Sequence, residues 1–190
     1  MITVDKERLI TAMEEQGSIG NTGRAGELNR PAPSDEMKDV YDWFITQLED
    51  AELDVWVDKI GNVFGRREGA NPDLSPILVG SHLDSHHCGG IYDGALGVIS
   101  ALEVVRTLND DGIDTNRPIE IVCWFNEEGT RYRPAHMGSK VWSGLIDLES
   151  AYSKVDNDGV KLEDELERVG YKGDEGEVER GPVRRLIGYV

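Results

Sequence analysis

Two apolar runs, residues 76–83 and 119–125, read as buried strands. Between them residues 94–108 read as a helix, with Leu96, Ile99, Val104 and Leu108 available to a core. Strands alternating with helices specify an α/β fold, a mostly parallel central sheet flanked by helices. In such sheets ligands bind beyond the C-terminal ends of the strands. Polar clusters stand at those ends here. His82 and Asp84 close one run, and Glu127 and Glu128 follow the other.

The rest of the chain builds around this unit. Residues 5–16 read as a first helix stopped by Gly17, and residues 17–33, rich in Gly, Asn and Pro, as a loop. Ser34 has the character of an N-cap, with Asp35 and Glu36 in the turn that follows. Met37, Val40, Tyr41, Phe44, Ile45 and Leu48 then recur at three- and four-residue steps, the spacing of an amphipathic helix. Residues 53–57 and 63–66 read as short strands joined by a turn, and residues 147–152 and 161–169 as helices.

Composition excludes several classes. The 190 residues are 38% hydrophobic and 30% charged, which is globular and enough for one domain with a core. No apolar run is long enough for a transmembrane helix, and the charged N-terminus lacks a signal-peptide core, so cytoplasmic residence is the expectation. Cys88 and Cys123 make no disulfide framework, and Cys123, inside an apolar run, is expected to be buried. The net charge of −17 argues against nucleic acid and anionic membranes as partners. It fits either simple solubility or a high-salt setting, and the even spread of acidic residues favours the second.

Three clusters carry chemistry. His82 suits a borderline metal such as zinc, and Asp84, two residues on, can fix its tautomer; the pair also reads as a hydrogen-bonded surface pair. Asp93, flanked by Gly89, Gly90, Gly94 and Gly97, has two oxygens able to bridge two cations, or serves only as a helix cap. Glu127 and Glu128 repel each other without a cation nearby, or are two solvated loop residues. All three lying on one side of one sheet favours the site.

These segments resemble the di-metal aminoacylase and carboxypeptidase-like hydrolases. The match is nearest to the branch of N-carbamoyl-amino-acid hydrolases and allantoate amidohydrolases. It rests on the Gly80–Ser85 segment, on Gly-Gly-x-x-Asp-Gly-Ala-Leu-Gly-Val around Asp93, and on Asn126-Glu127-Glu128-Gly129. Arg131, Met137-Gly138-Ser139, Ile60-Gly61-Asn62-Val63 and Arg30-x-Ala32-x-Ser34 add to it, so that it covers residues 5–175. The resemblance implies a zinc-exopeptidase-like catalytic domain hydrolysing linear amide or ureido C–N bonds of a small molecule. It implies two divalent cations, zinc first, with manganese, cobalt or nickel as substitutes. His82 and Glu128 would each hold one cation and Asp93 would bridge them. Glu127 would be the general base and Asp84 the partner of His82.

The chain also departs from that pattern. The resemblance implies two further histidine ligands, one in the register of Tyr189, and a small lid domain carrying dimer contacts and substrate-binding side chains. No histidine follows His136. Residues 1–179 are thus expected to be the N-terminal part of a metal-dependent catalytic domain, incomplete and without its lid. Residues 180–190 turn basic and match nothing expected there, which points to truncation, a split gene or a frame disruption. His86 and His87 either substitute as ligands or sit at the site mouth. His136 either lines a substrate pocket or belongs to a surface loop, and Cys88 is not expected to be a ligand. The expected enzyme is weakly active or inactive alone, its longer relatives homodimeric, its own partner a complementary C-terminal chain. The alternatives are a non-catalytic remnant or partner subunit of a split hydrolase, and a deacylase or aminopeptidase of the wider family.

Overall fold

The computed structural model describes residues 2–174 and 186–189. Helix α1 (Lys6–Ser18) starts at Asp5, whose carboxylate accepts the N–H groups of Glu7 and Arg8, both at 3.0 Å. Gly17 does not stop it; the helix runs one residue further, with Gly17 packed on Ile91. A two-residue strand β1 (Glu27–Leu28) interrupts the expected loop. Helix α2 (Asp35–Asp50) is capped by the Ser34 hydroxyl, which accepts the Met37 N–H at 3.1 Å, and buries Met37, Val40, Tyr41, Phe44 and Leu48. Next come β2 (Asp54–Val57), β3 (Val63–Arg67), β4 (Ile77–Ser81), the two-residue β5 (Gly89–Gly90), helix α3 (Ala95–Asp110) and β6 (Ile119–Cys123). Three short helices, α4 (Met137–Trp142), α5 (Leu148–Tyr152) and α6 (Leu162–Val169), precede β7 (Leu186–Tyr189).

The main sheet has the order β2-β3-β6-β4-β7. Its β6-β4-β7 part is parallel, as alternating strands and helices require. Its other edge is antiparallel: β2 pairs with β3 and β3 with β6, because the turn between β2 and β3 is too short for a crossover. The expected α/β class with flanking helices holds, but where a mostly parallel sheet was expected the sheet is mixed, with two parallel and two antiparallel pairings among its described strands. All five residues of β6 are buried, including Glu120, which pairs with Arg66 at 2.8 Å. Ile121 and Cys123 face the main core with α2 and α3, while Val122 and Trp124 join Phe64 and Leu78 in a smaller cluster on the other face.

Helix α3 corrects one expectation. Ile99 is buried, but Leu96 and Val104 are 44% and 48% exposed. The buried stripe is Ala95, Val98, Ile99, Leu102 and Val105, and Leu96 and Val104 fall on the opposite side. Cys123 is buried and Cys88 exposed, both free thiols. Of the basic stretch, residues 180–185 and 190 lie outside the described residues, and so does the boundary expected at 180. Among the described residues no helix is long and apolar enough to cross a membrane.

Candidate metal centre

The parallel register sets the site. Ser81 of β4 lies opposite Cys123 of β6, and the Trp124 N–H donates to the Ser81 carbonyl at 2.7 Å. The segments that follow, 82–85 and 124–128, therefore leave the sheet side by side at its C-terminal edge. After β6, Asn126 takes a positive φ of 49°, a conformation that asparagine tolerates better than most residues, and its amide donates to the Tyr132 carbonyl at 2.7 Å. That kink turns the Glu127 and Glu128 peptides toward Asp84.

Asp84 is 1% exposed. Its Oδ1 accepts the Glu127 N–H and its Oδ2 the Glu128 N–H, each at 3.1 Å. One carboxylate thus fixes the backbone of both glutamates. Burial pushes its pKa up to about 6, against the opposing pull of His82 and the two N–H donors. The expectation that this carboxylate fixes the His82 tautomer needs refinement. The His82 Nδ1 lies 3.0 Å from the Asp84 main-chain carbonyl and 3.6 Å from its carboxylate. A carbonyl only accepts, so Nδ1 carries the proton and the Nε2 lone pair faces outward.

That lone pair faces Glu127 Oε2 at 3.4 Å and Asp93 Oδ1 at 3.8 Å. Asp93 stands just before α3, and Gly94 between them has φ 65°. A Cβ on Gly94 would lie 2.4 Å from the His82 ring, so only glycine lets the helix start approach the imidazole this closely. The other Glu127 oxygen lies 3.2 Å from His136 Nε2, and Glu128 Oε2 lies 3.0 Å from His86 Nε2. Three imidazoles and three carboxylates thus line one cleft of about 470 Å³. The structure brings together every sequence-derived candidate: His82, Asp84, Asp93, Glu127, Glu128 and His136.

The donor chemistry fits divalent cations. Imidazole nitrogens and carboxylate oxygens are zinc ligands, and a lone pair aimed at carboxylate oxygens is repulsive unless a proton or a cation lies between. Among the described residues, however, no three His, Cys, Asp or Glu side chains meet at a point that would hold a metal ion.

Sequence reasoning missed what lies behind the cleft. Arg30 is 1% exposed, and its guanidinium donates to the Gln16 carbonyl at 2.8 Å and to Gln16 Oε1 at 3.0 Å. The Gln16 amide donates to the Ile91 carbonyl at 2.9 Å, just upstream of Asp93. The Arg30 carbonyl accepts the Ser85 N–H and its own N–H donates to the Ser85 hydroxyl, each at 3.0 Å. This buried pair ties the segment bearing His82 to the one bearing Asp93. The available signal was a glutamine three residues after Met13 on the buried face of α1.

The chain is similar to known proteins over most of its length. A model of peptidase family M28 matches residues 62–179. An N-carbamoyl-L-amino-acid amidohydrolase of Rhizobium meliloti is 44% identical over 172 residues, covering 90% of this chain and 41% of the relative. An allantoate deiminase of Arabidopsis thaliana is 34% identical over 162 residues, 75% of this chain and 31% of the relative. A hydantoinase/carbamoylase family amidase from Burkholderia ambifaria superposes with a TM-score of 0.89 at 43% identity, over 91% of this chain and 42% of that one. The chain spans less than half the length of these relatives.

Proposed function

The chain belongs to peptidase family M28, and on that premise we propose that it carries one wall of a two-cation site hydrolysing linear amide or ureido C–N bonds. The substrates are N-carbamoyl amino acids, allantoate or close analogues. One observation carries the reading: a single buried carboxylate, Asp84, fixes the backbones of Glu127 and Glu128 beside His82, in a cleft that also holds Asp93. His82, Glu128 and Asp93 would hold the cations, Asp93 shared between them. Zinc is the first choice, and manganese, cobalt or nickel substitute. Bound divalent cations lower the pKa of water and polarise a carbonyl. Glu127 takes the proton of the attacking water on a carboxylate oxygen and returns it to the leaving nitrogen. His136, 3.2 Å from Glu127, orients the substrate beside that base.

Among the described residues no three donors converge on one point, so the 190-residue chain alone is a weak catalyst. A complementary C-terminal chain as partner, homodimers among the longer relatives and cytoplasmic residence belong to the same proposal. The test is an assay of the purified chain with Zn²⁺, Mn²⁺ or Co²⁺ on N-carbamoyl-L-amino acids and allantoate, beside N-acetyl amino acids and dipeptides. Slow, chelator-sensitive conversion of the ureido group to the free amine with release of ammonia and carbon dioxide, lost in E127Q, is expected. Turnover indifferent to chelation or to E127Q, or confined to dipeptides, overturns the reading.

A further inference from the structure

We infer that His86 is a metal ligand, holding with Glu128 the second of the two cations; the inference rests on the two-cation reading above. His86 lies in the turn between β4 and β5, outside the three clusters from which the site was read. Its Nε2 is 3.0 Å from Glu128 Oε2. Two ligands bonded to one zinc at about 2.0–2.1 Å in tetrahedral geometry stand roughly 3.3 Å from each other. The His86–Glu128 separation of 3.0 Å is near that value, while His82 Nε2 stands 3.4 Å from Glu127 and 3.8 Å from Asp93.

The other ring nitrogen supplies the second argument. His86 Nδ1 lies 3.0 Å from the Thr130 hydroxyl, and Thr130 is two residues beyond Glu128. The Thr130 hydroxyl can accept the Nδ1 proton, and in that tautomer the Nε2 lone pair faces the carboxylate, the arrangement that orients a metal-ligating histidine. The same short segment therefore provides both the carboxylate and the group that aims the imidazole at it. Charge pairing alone would hold this imidazole weakly, because its side chain is 61% exposed. The adjacent histidine behaves differently. His87 Nδ1 lies 3.0 Å from Asn29 Oδ1, and His87 is not among the residues lining the cleft. It makes an internal control one residue away.

The donor set then divides into two halves. His82 would serve one cation and His86 with Glu128 the other, with Asp93 shared between them, while Asp84 behind them spaces the two glutamate backbones. Water or substrate completes each shell.

The experiment titrates the purified chain with Co²⁺, read by calorimetry and by the visible absorption of the bound ion, for wild type, H82A, H86A, H87A and T130V. Circular dichroism and thermal melting check the fold, which an exposed side chain such as His86 should not disturb. Two bound ions are expected in the wild type and H87A. In H86A one ion is retained and the other is weakened by more than about 100-fold. T130V weakens that same ion by roughly 10–100-fold, the usual cost of losing an orienting partner. An H86A titration that overlays the wild type overturns the assignment while leaving the two-cation reading intact. A wild type that takes up no Co²⁺ sinks both. A wild type that takes up one ion, lost in H86A and kept in H82A, supports His86 and removes the two-ion count instead.

Discussion

The rear of the cleft and its rim are built from similar side chains in opposite ways. Behind the cleft, Asp84, Arg30, Gln16 and Ser85 are buried and hydrogen-bonded to main-chain groups from four separate segments. At the rim, Asp93, His86 and His136 are more than half exposed, and their contacts run to other side chains, mostly ionisable ones. A buried polar group that loses its partner costs far more than an exposed one, because water cannot replace the partner. The rear therefore fixes geometry, and the rim keeps its donors available. Substitutions behind the cleft should reduce stability; substitutions at the rim should change ligand binding and leave stability nearly untouched.

The sharpest test is Asp84→Ala. It strands two N–H donors, each costing about 1–3 kcal/mol, so a loss of about 2–6 kcal/mol is expected in urea unfolding, together with loss of metal uptake. A loss under about 1 kcal/mol would mean that water reaches these amides and that the rear is not closed. Arg30→Ala comes next. It removes bonds from a charged donor but also relieves the desolvation that lowers the Arg30 pKa to about 10, so the net loss is smaller, about 2 kcal/mol. Because the Arg30 backbone bonds to Ser85 survive the substitution, hydrogen exchange should quicken near Ile91 more than at Ser85. Equal quickening at both would show that the guanidinium does not act through Gln16.

How much of this the sequence discloses follows from the range of each interaction. The two strand ends were legible, because an apolar run closed by His82 and Asp84, or by Glu127 and Glu128, is a local pattern. So were α2 and its cap, from Ser34 and the spacing of Met37 to Leu48. The role of Asp84 was only half legible. A His-x-Asp pair suggests a contact between the two side chains, whereas the direction of the carboxylate depends on the positive φ of Asn126, more than forty positions away, which turns two amides toward it. Helix α4 escaped notice because it is six residues long and starts at a left-handed His136, held by the Glu127 carbonyl at 2.6 Å rather than by any capping side chain. The error at Leu96 and Val104 has another cause: α3 is apolar on more than one side, and only the sheet decides which stripe is covered.

At the rim, Asp93→Asn and His136→Ala should each change the unfolding free energy by less than about 0.5 kcal/mol, as exposed positions do. Asp93→Asn should still weaken Co²⁺ uptake, and His136→Ala should raise KM for an N-carbamoyl substrate with little change in kcat. A destabilisation equal to that of Arg30→Ala would erase the distinction between the two regions.

The smallest expected effect separates them by salt. The chain carries a net charge of −17, and carboxylates exposed on its surface and at the rim repel one another through water. Raising KCl from about 0.1 M to 1 M shortens the screening length from about 10 Å to 3 Å and should stabilise the wild type, seen as a rise in the urea midpoint. Hydrogen bonds closed off from solvent are screened much less, so the penalty of Asp84→Ala should stay the same at both salt concentrations. The rim should respond instead: Asp93→Asn removes one of the repelling charges, and its small effect should shift toward zero as salt rises. If the Asp84→Ala penalty shrank with KCl in step with the wild-type gain, the rear of the cleft would be as open to solvent as the rim.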